Sequence, residues 1–183
     1  MFAPFYLMDA FAGAQIVHDS VQRPLVSGKE LIVDALPEEE EGGWMPTPFQ
    51  CSLLLFILTA AATIYSIRKR TGLWGVDLIL FGAAGIVGCV LAFLALFSEH
   101  PAVSSNFLLL VFHPGQLLLL PYIIYCVRKG KKCWYLTLNL VVLTLFMVLF
   151  PLIPQRFDLA VVPLALCLLI RSASNLILTS KKK

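Results

Sequence analysis

Two histidines and a carboxylate lie close together in an otherwise apolar part of the chain. The stretch 97–116 reads FSEHPAVSSNFLLLVFHPGQ, and its polar candidates are Glu99, His100, Asn106, His113 and Gln116. Such side chains can act as general acid or base, ligate a metal ion, or hydrogen-bond a polar headgroup. Which of these roles the five residues can have depends on the secondary-structure elements that position them.

The composition predicts that those elements lie in a membrane. Of the 183 residues, 59% are apolar, and the mean hydropathy is +0.86. A chain of this size cannot bury so much apolar side chain in a globule and still present a polar surface. The five cysteines lie in or at the ends of apolar runs and are interpreted as packing residues. We expect no disulfide framework, no metal, no cofactor and no nucleic-acid partner.

Five apolar runs are long enough to cross a bilayer, which takes about 20 helical residues. The predicted fold is therefore all-α: a five-helix transmembrane bundle over 48–183, preceded by a short extracytoplasmic segment, 1–47. The spans are placed at about 49–67, 73–97, 107–127, 134–153 and 159–178.

The charges of the connectors alternate along these spans. Ten basic residues fall in 68–70, 128–132 and 181–183, whereas the other two connectors contain only Arg156. Basic loops remain cytoplasmic. Threading five spans puts all three basic clusters on one side, which predicts a multi-pass inner-membrane protein with its amino terminus outside and its carboxyl terminus in the cytoplasm.

The segment 1–47 is more polar and carries eight of the eleven acidic residues. It has no basic start typical of a signal peptide. We expect it to be the end of a preceding soluble domain plus an acidic linker; the alternative is a short protein whose tail crosses the membrane unaided. A hairpin is predicted from Leu25–Val26 and Leu31–Val33.

Two features should shape the bundle around the polar cluster. Pro114 interrupts the third run, which predicts a kinked span, with a re-entrant turn followed by a span as the alternative. The second run carries Gly82, Gly85 and Gly88, a spacing that allows another helix backbone to approach closely.

Three interpretations of the polar cluster remain open. Glu99, His100 and Asn106 could simply cap helix ends in water, while His113 serves backbone groups that Pro114 frees. The cluster could instead bind a lipid headgroup, an acyl chain or a lipoprotein near the outer leaflet, because polar residues within membranes usually face a bundle interior or cavity. Catalysis or a metal site formed by Glu99, His100 and His113 is the third interpretation, although their spacing is not diagnostic.

A second polar group is predicted near the inner side of the bundle. Asp77 lies early in the second run and Arg171 lies in the fifth run. An unpaired ion in lipid is costly, so we expect these two to form an ion pair. Separate snorkelling of each side chain to the interface is the alternative.

Several of these residues also carry a resemblance to a known family. The stretches DLILFGAAGIVGC from Asp77, FSEHPAVSSN to Asn106, and His113-Pro114 resemble a membrane region of Bacteroidetes envelope proteins related to the lipoprotein N-acyltransferase Lnb, an intramolecular transacylase. The resemblance implies an extracytoplasmic domain, possibly papain-like, before the membrane spans. The family's catalytic cysteine and histidine belong to that domain and match no position here.

These observations predict an inner-membrane module that anchors an extracytoplasmic domain and positions a lipid or lipoprotein substrate, in an Lnb-like protein of the cell envelope. The isolated chain is not expected to be catalytic. The expected partners are membrane lipids, an acyl chain or lipoprotein, and other membrane helices at Gly82, Gly85 and Gly88. An intramembrane enzyme or metal site at the Glu/His cluster, or a structural subunit of a membrane transport complex, are the alternatives.

Overall fold

A computed structural model describes residues 10–11, 13–18, 21–26, 46–97, 106–153, 155 and 157–180. The chain divides into two compact units, 1–45 and 46–183. Glu99 and His100 lie outside the described residues, so every prediction that depends on them stays a prediction.

The amino-terminal unit contains a short antiparallel hairpin. Strand β1, Gln15–His18, pairs with strand β2, Val21–Pro24. The predicted strand at Leu25–Val26 is wrong, because both residues lie outside the strands; Leu31–Val33 lies outside the described residues. The adjacent Ile16 and Val17 are β-branched, as strands favour, and place the first strand earlier than predicted.

The second unit is helical, in agreement with the predicted fold class. Its helices are α1 (Pro48–Lys69), α2 (Trp74–Phe97), α3 (Pro114–Leu118), α4 (Leu120–Lys129), α5 (Trp134–Leu149) and α6 (Val161–Ser180), with 3-10 turns at Phe107–Leu110 and Phe150–Leu152. Four of the described segments are long and apolar enough to cross a membrane: α1, α2, α5 with its 3-10 turn, and α6. A fifth span results if the bent pair 107–118 and 120–129 counts as one.

Local sequence explains where α1 begins and ends. Thr47 accepts a hydrogen bond from the Gln50 amide while the Gln50 side chain accepts one from the Thr47 amide, which forms a capping box before the helix. Pro48 occupies the first turn, where its missing N–H has no helical partner. At the other end Arg70 adopts a left-handed conformation with φ of 53° and stops the helix.

The core of the helical unit forms where α6 packs against both α1 and α5, and where α2 packs against α3 and α4. Phe81, Ile123, Leu143 and Phe146 are fully buried or nearly so. Two ends of the bundle can be distinguished. The "basic end" carries 68–70 and 128–132, and the "opposite end" carries Asn106 and the start of α6.

Candidate functional site

The third span is broken at His113. The residue before a proline is disfavoured in the helical conformation, and His113 is extended, with φ of −133° and ψ of 151°. Pro114 then opens α3 at the first helical position. A second proline, Pro121, lies in the first turn of α4, and segments 107–118 and 120–129 are bent by 74° relative to each other.

The Gln116 side chain hydrogen-bonds to the backbone beside this break. Its side-chain Nε2 donates a hydrogen bond of 2.8 Å to the carbonyl of Val111, just before the interruption. Gln116 is fully buried, and among the described residues its Oε1 has no hydrogen-bond partner. Broken helices persist in membranes only where such freed backbone groups are satisfied. At the Val111 carbonyl it is Gln116, and not His113, that makes the hydrogen bond.

His113 instead contacts the fourth span. Its Nε2 lies 3.2 Å from the Tyr135 hydroxyl, and the two rings meet edge to face at a centroid distance of 5.9 Å. Tyr135 is buried in the first turn of α5, directly after the basic segment. Of the predicted outer cluster, the structure describes Asn106, His113 and Gln116, and no two of these three are joined by a side-chain hydrogen bond. The predicted outer cluster is therefore not assembled from these three residues.

The glycines of α2 make room for the broken segment. A Cβ added to Gly88 would lie within 2.6 Å of three backbone atoms of His113, and one added to Gly85 would overlap the backbone of Leu117. At Gly82 the nearest atom, Leu120 Cδ2, is at an ordinary 3.5 Å. The glycine face thus packs within the chain, against 113–120.

Asn106 belongs to a separate contact at the opposite end. Its Oδ1 accepts hydrogen bonds from the Leu108 amide at 3.0 Å and from Gln155 Nε2 at 3.1 Å. Gln155 Oε1 in turn accepts from the Phe107 amide at 2.9 Å. These bonds join the start of the third span to the connector before α6. Gln155 was not predicted as a site residue, since a lone glutamine in a connector gives no signal of its partner.

The metal interpretation receives no test from the described residues. Within them, no group of three or more His, Cys, Asp or Glu side chains could hold a metal ion. Glu99 and His100 are not among them. The isolated His113–Tyr135 contact offers one imidazole and one phenol, which is too few ligands for a zinc site.

The structure places Asp77 and Arg171 in direct contact inside the bundle. Arg171 Nε and Nη2 donate to the two carboxylate oxygens at 2.7 and 3.0 Å, and both side chains are fully buried. Asn175 Nδ2 donates a further bond of 2.9 Å to Asp77 Oδ2, and Thr63 Oγ1 lies 3.4 Å from Arg171 Nη1. The pair is bidentate and supported from α1, α2 and α6, which is the geometry that makes a buried ion pair tolerable.

Helix α1 buries its polar residues and exposes its apolar ones. Its buried positions are Ser52, Thr59, Thr63 and Ser66, while neighbouring leucines and isoleucines are exposed. In a bilayer the apolar side chains face lipid, and small hydroxyl residues allow close helix contact. Thr63 among them contacts Arg171 of α6, the helix against which α1 packs. These buried hydroxyl residues were not predicted from the sequence. Their regular spacing, seven residues from Ser52 to Thr59 and again to Ser66, was the available signal.

An apolar groove lies between α1, α2 and α6, next to the broken span. Its volume is about 230 Å³, and all its lining side chains are apolar: Leu55, Leu80, Ala83, Ala84, Val87, Phe112, Leu164, Cys167 and Leu168. Leu55 and Leu164 are roughly 10 and 5 Å along their helices from the opposite end, at 1.5 Å per residue. On α2, Leu80 and Val87 lie roughly 9 and 20 Å from the basic end of the helix and roughly 25 and 15 Å from its other end. The groove therefore lies near the middle of the bundle, and Phe112 at its edge precedes His113 directly.

Comparison with known families now identifies the helical unit. A family model described as the Lnb transmembrane domain matches residues 38–183, which includes every helix from α1 to α6. The chain belongs to the Lnb transmembrane domain family. The match confirms the family resemblance and, with the apolar helices, the five-helix membrane fold. No curated protein and no solved structure matches the chain. In this Lnb transmembrane domain the broken third span, the glycine face and the apolar groove adjoin one another.

Proposed function

We propose that this chain anchors an extracytoplasmic domain of an Lnb-like envelope protein in the inner membrane and holds an acyl chain of a lipid or lipoprotein for it. The apolar groove between α1, α2 and α6 is the observation that carries this proposal. The chemistry that uses the bound acyl chain belongs to the extracytoplasmic domain, as the family resemblance implies.

The groove suits an acyl chain better than a polar ligand. Its lining offers carbon and one cysteine sulfur, and the helices that form it are long enough to cross the membrane. A methylene chain has no polar group that would need a hydrogen-bond partner in such a groove. A polar ligand would lose its hydrogen bonds to water without replacement. The edge at Phe112 adjoins His113, so an imidazole borders the otherwise apolar lining.

The proposed role requires the opposite end of the bundle to face the cell envelope. Cys51, three residues into α1 at the opposite end, is exposed. Cys133, at the basic end, is buried, and this burial raises the pKa of its thiol to about 11. In spheroplasts we expect a membrane-impermeant maleimide to label Cys51 and a Ser104→Cys variant. A Lys132→Cys variant should be labelled only after lysis. Peptide mass spectrometry locates the label. Labelling of the Lys132→Cys variant in intact spheroplasts, with protection of the Ser104→Cys variant, would contradict the orientation.

Filling the apolar groove should weaken the binding of an acyl chain there. Ala83 lies on the exposed rim, so Ala83→Phe places a ring in the groove without disturbing the core. We expect about tenfold less cross-linking of a photoreactive fatty acid to α1, α2 and α6 in cells, and a matching loss of lipoprotein N-acylation at a normal protein level. A tenfold change corresponds to about 1.4 kcal/mol of binding free energy.

Val90→Phe is the matched control, because Val90 is exposed on the same helix but does not line the groove. Cross-links to Leu140–Val148 on α5 give the background from bulk lipid. If Ala83→Phe and Val90→Phe behave alike, or if the α5 face is labelled as strongly as the groove, the groove does not hold the acyl chain.

A further inference from the structure

Helix α4 carries a second groove with a different chemistry, at the basic end. It is a shallow depression along the outer face of this one helix, lined by Pro121, Ile124, Tyr125, Arg128 and Lys129. The helix is amphipathic. Ile123, Cys126 and Val127 are buried, whereas the two charged residues of the groove, Arg128 and Lys129, are exposed. The lining therefore combines an apolar part toward the start of α4 with two cations toward its end.

Neighbouring contacts hold the polar side chains of this groove in place. The Arg128 guanidinium lies 5.3 Å from the centre of the Trp74 ring, a cation–π contact that leaves the edge of the guanidinium free to donate hydrogen bonds. Lys131 Nζ donates a 3.1 Å hydrogen bond to the Tyr125 hydroxyl, which raises the pKa of Lys131 and keeps it charged. Trp and Tyr at this level are typical of the membrane–water interface.

No described carboxylate neutralises these cations. In the described part of 46–183 the only acidic residues are Asp77, which is paired with Arg171, and Asp158, which lies at the opposite end. The described basic end therefore carries unpaired positive charge next to an apolar surface. An anion with an attached hydrocarbon part matches both properties, whereas a fully soluble anion uses only the first.

We propose that the α4 groove binds the phosphate headgroup of an anionic phospholipid from the leaflet at the basic end. Arg128 and Lys129 hold the phosphate oxygens, the guanidinium through paired N–H donors. The Tyr125 hydroxyl lies beside them, and Pro121 and Ile124 contact the first methylenes. Lys and Arg side chains clustered at the end of a membrane helix attract anionic headgroups. This site lies on α4, which contributes no residue to the acyl groove, and it does not depend on the function proposed above.

The test uses the whole purified chain in nanodiscs that contain phosphatidylglycerol and phosphatidylcholine. Native mass spectrometry measures the phosphatidylglycerol retained when the protein is released. We expect the double variant Arg128→Gln/Lys129→Gln to retain it with an affinity lowered on the order of tenfold. The control Arg68→Gln/Lys69→Gln removes the same charge from exposed residues at the same end but outside the groove, and it should change the affinity by less than about threefold.

Each outcome decides the proposal. Equal losses in the two double variants would mean that the basic end attracts anionic lipid only through its total charge, and no loss in either would mean that the groove is not used; both overturn the site. Displacement of the lipid by inorganic phosphate at millimolar concentration would assign the groove to a soluble anion instead. Tyr125→Phe, which keeps the ring, provides a milder variant, and unchanged thermal unfolding of every variant verifies that the fold is intact.

Discussion

Replacing Asp77 with Asn is expected to lower the free energy of unfolding by about 3–5 kcal/mol, because it leaves the buried Arg171 guanidinium without its counter-charge. Both side chains are fully buried, and no other described carboxylate lies at this end to replace the lost one. Thr63 and the new amide can accept hydrogen bonds but carry no charge. The measurement is thermal unfolding of the purified protein in detergent, together with the amount of protein that accumulates in the membrane.

The double variant Asp77→Leu/Arg171→Met separates a true pair from two independent ions. Replacing a buried pair by apolar residues of similar volume is often close to neutral. We therefore expect the double variant to be more stable than either Asp77→Leu or Arg171→Met alone. Losses that simply add would show that each residue acts by itself, as separate snorkelling predicts.

Introducing a methyl group at Gly88 is also expected to lower the free energy of unfolding, by a different mechanism. The added Cβ would meet backbone atoms of His113 at 2.5–2.6 Å, and backbone cannot rotate away as a side chain can. Gly88→Ala must therefore displace the broken third span, at a cost of about 1–3 kcal/mol or more. Gly85→Ala should behave alike, because its Cβ would overlap Leu117. Thermal unfolding in detergent measures both effects.

The same helix supplies graded controls. A Cβ on Gly75 meets nothing within 4 Å, and one on Gly82 meets only a leucine methyl at 3.5 Å. Gly75→Ala should leave the unfolding temperature unchanged and Gly82→Ala should lower it little. A loss at Gly75 as large as that at Gly88 would show that the glycines matter for helix flexibility rather than for close packing.

Much of the membrane architecture could be predicted from residue order alone. Apolar length determines where helices cross a bilayer, so the spans, the five-helix fold and the break at Pro114 follow from composition and local chemistry. The family could be recognised from the stretch beginning at Asp77. Asp77 and Arg171 could be proposed as neighbours because both are ions at similar predicted depth, and a bilayer tolerates few unpaired charges.

Side-chain partners within the bundle could not be predicted in the same way. In lipid, apolar residues face outward as readily as inward, so the hydrophobic pattern does not reveal which face of a helix is buried. The hydroxyl residues of α1 are buried while its leucines are exposed, against the rule that holds for water-soluble proteins. Likewise, polar residues that are close in sequence lie apart in space. Asn106 hydrogen-bonds to Gln155, whereas His113 contacts Tyr135.

Sequence by itself therefore determined that the chain lies in the membrane, how often it crosses, and where its third span must break, since these depend on local hydropathy, charge and proline geometry. Only the tertiary structure decided that the glycines of α2 pack against the chain's own broken span, that Gln116 hydrogen-bonds to the carbonyl of Val111 beside the break, and that the bundle carries two chemically different grooves. These features depend on contacts between distant segments, and no local residue pattern specifies the partner in such a contact.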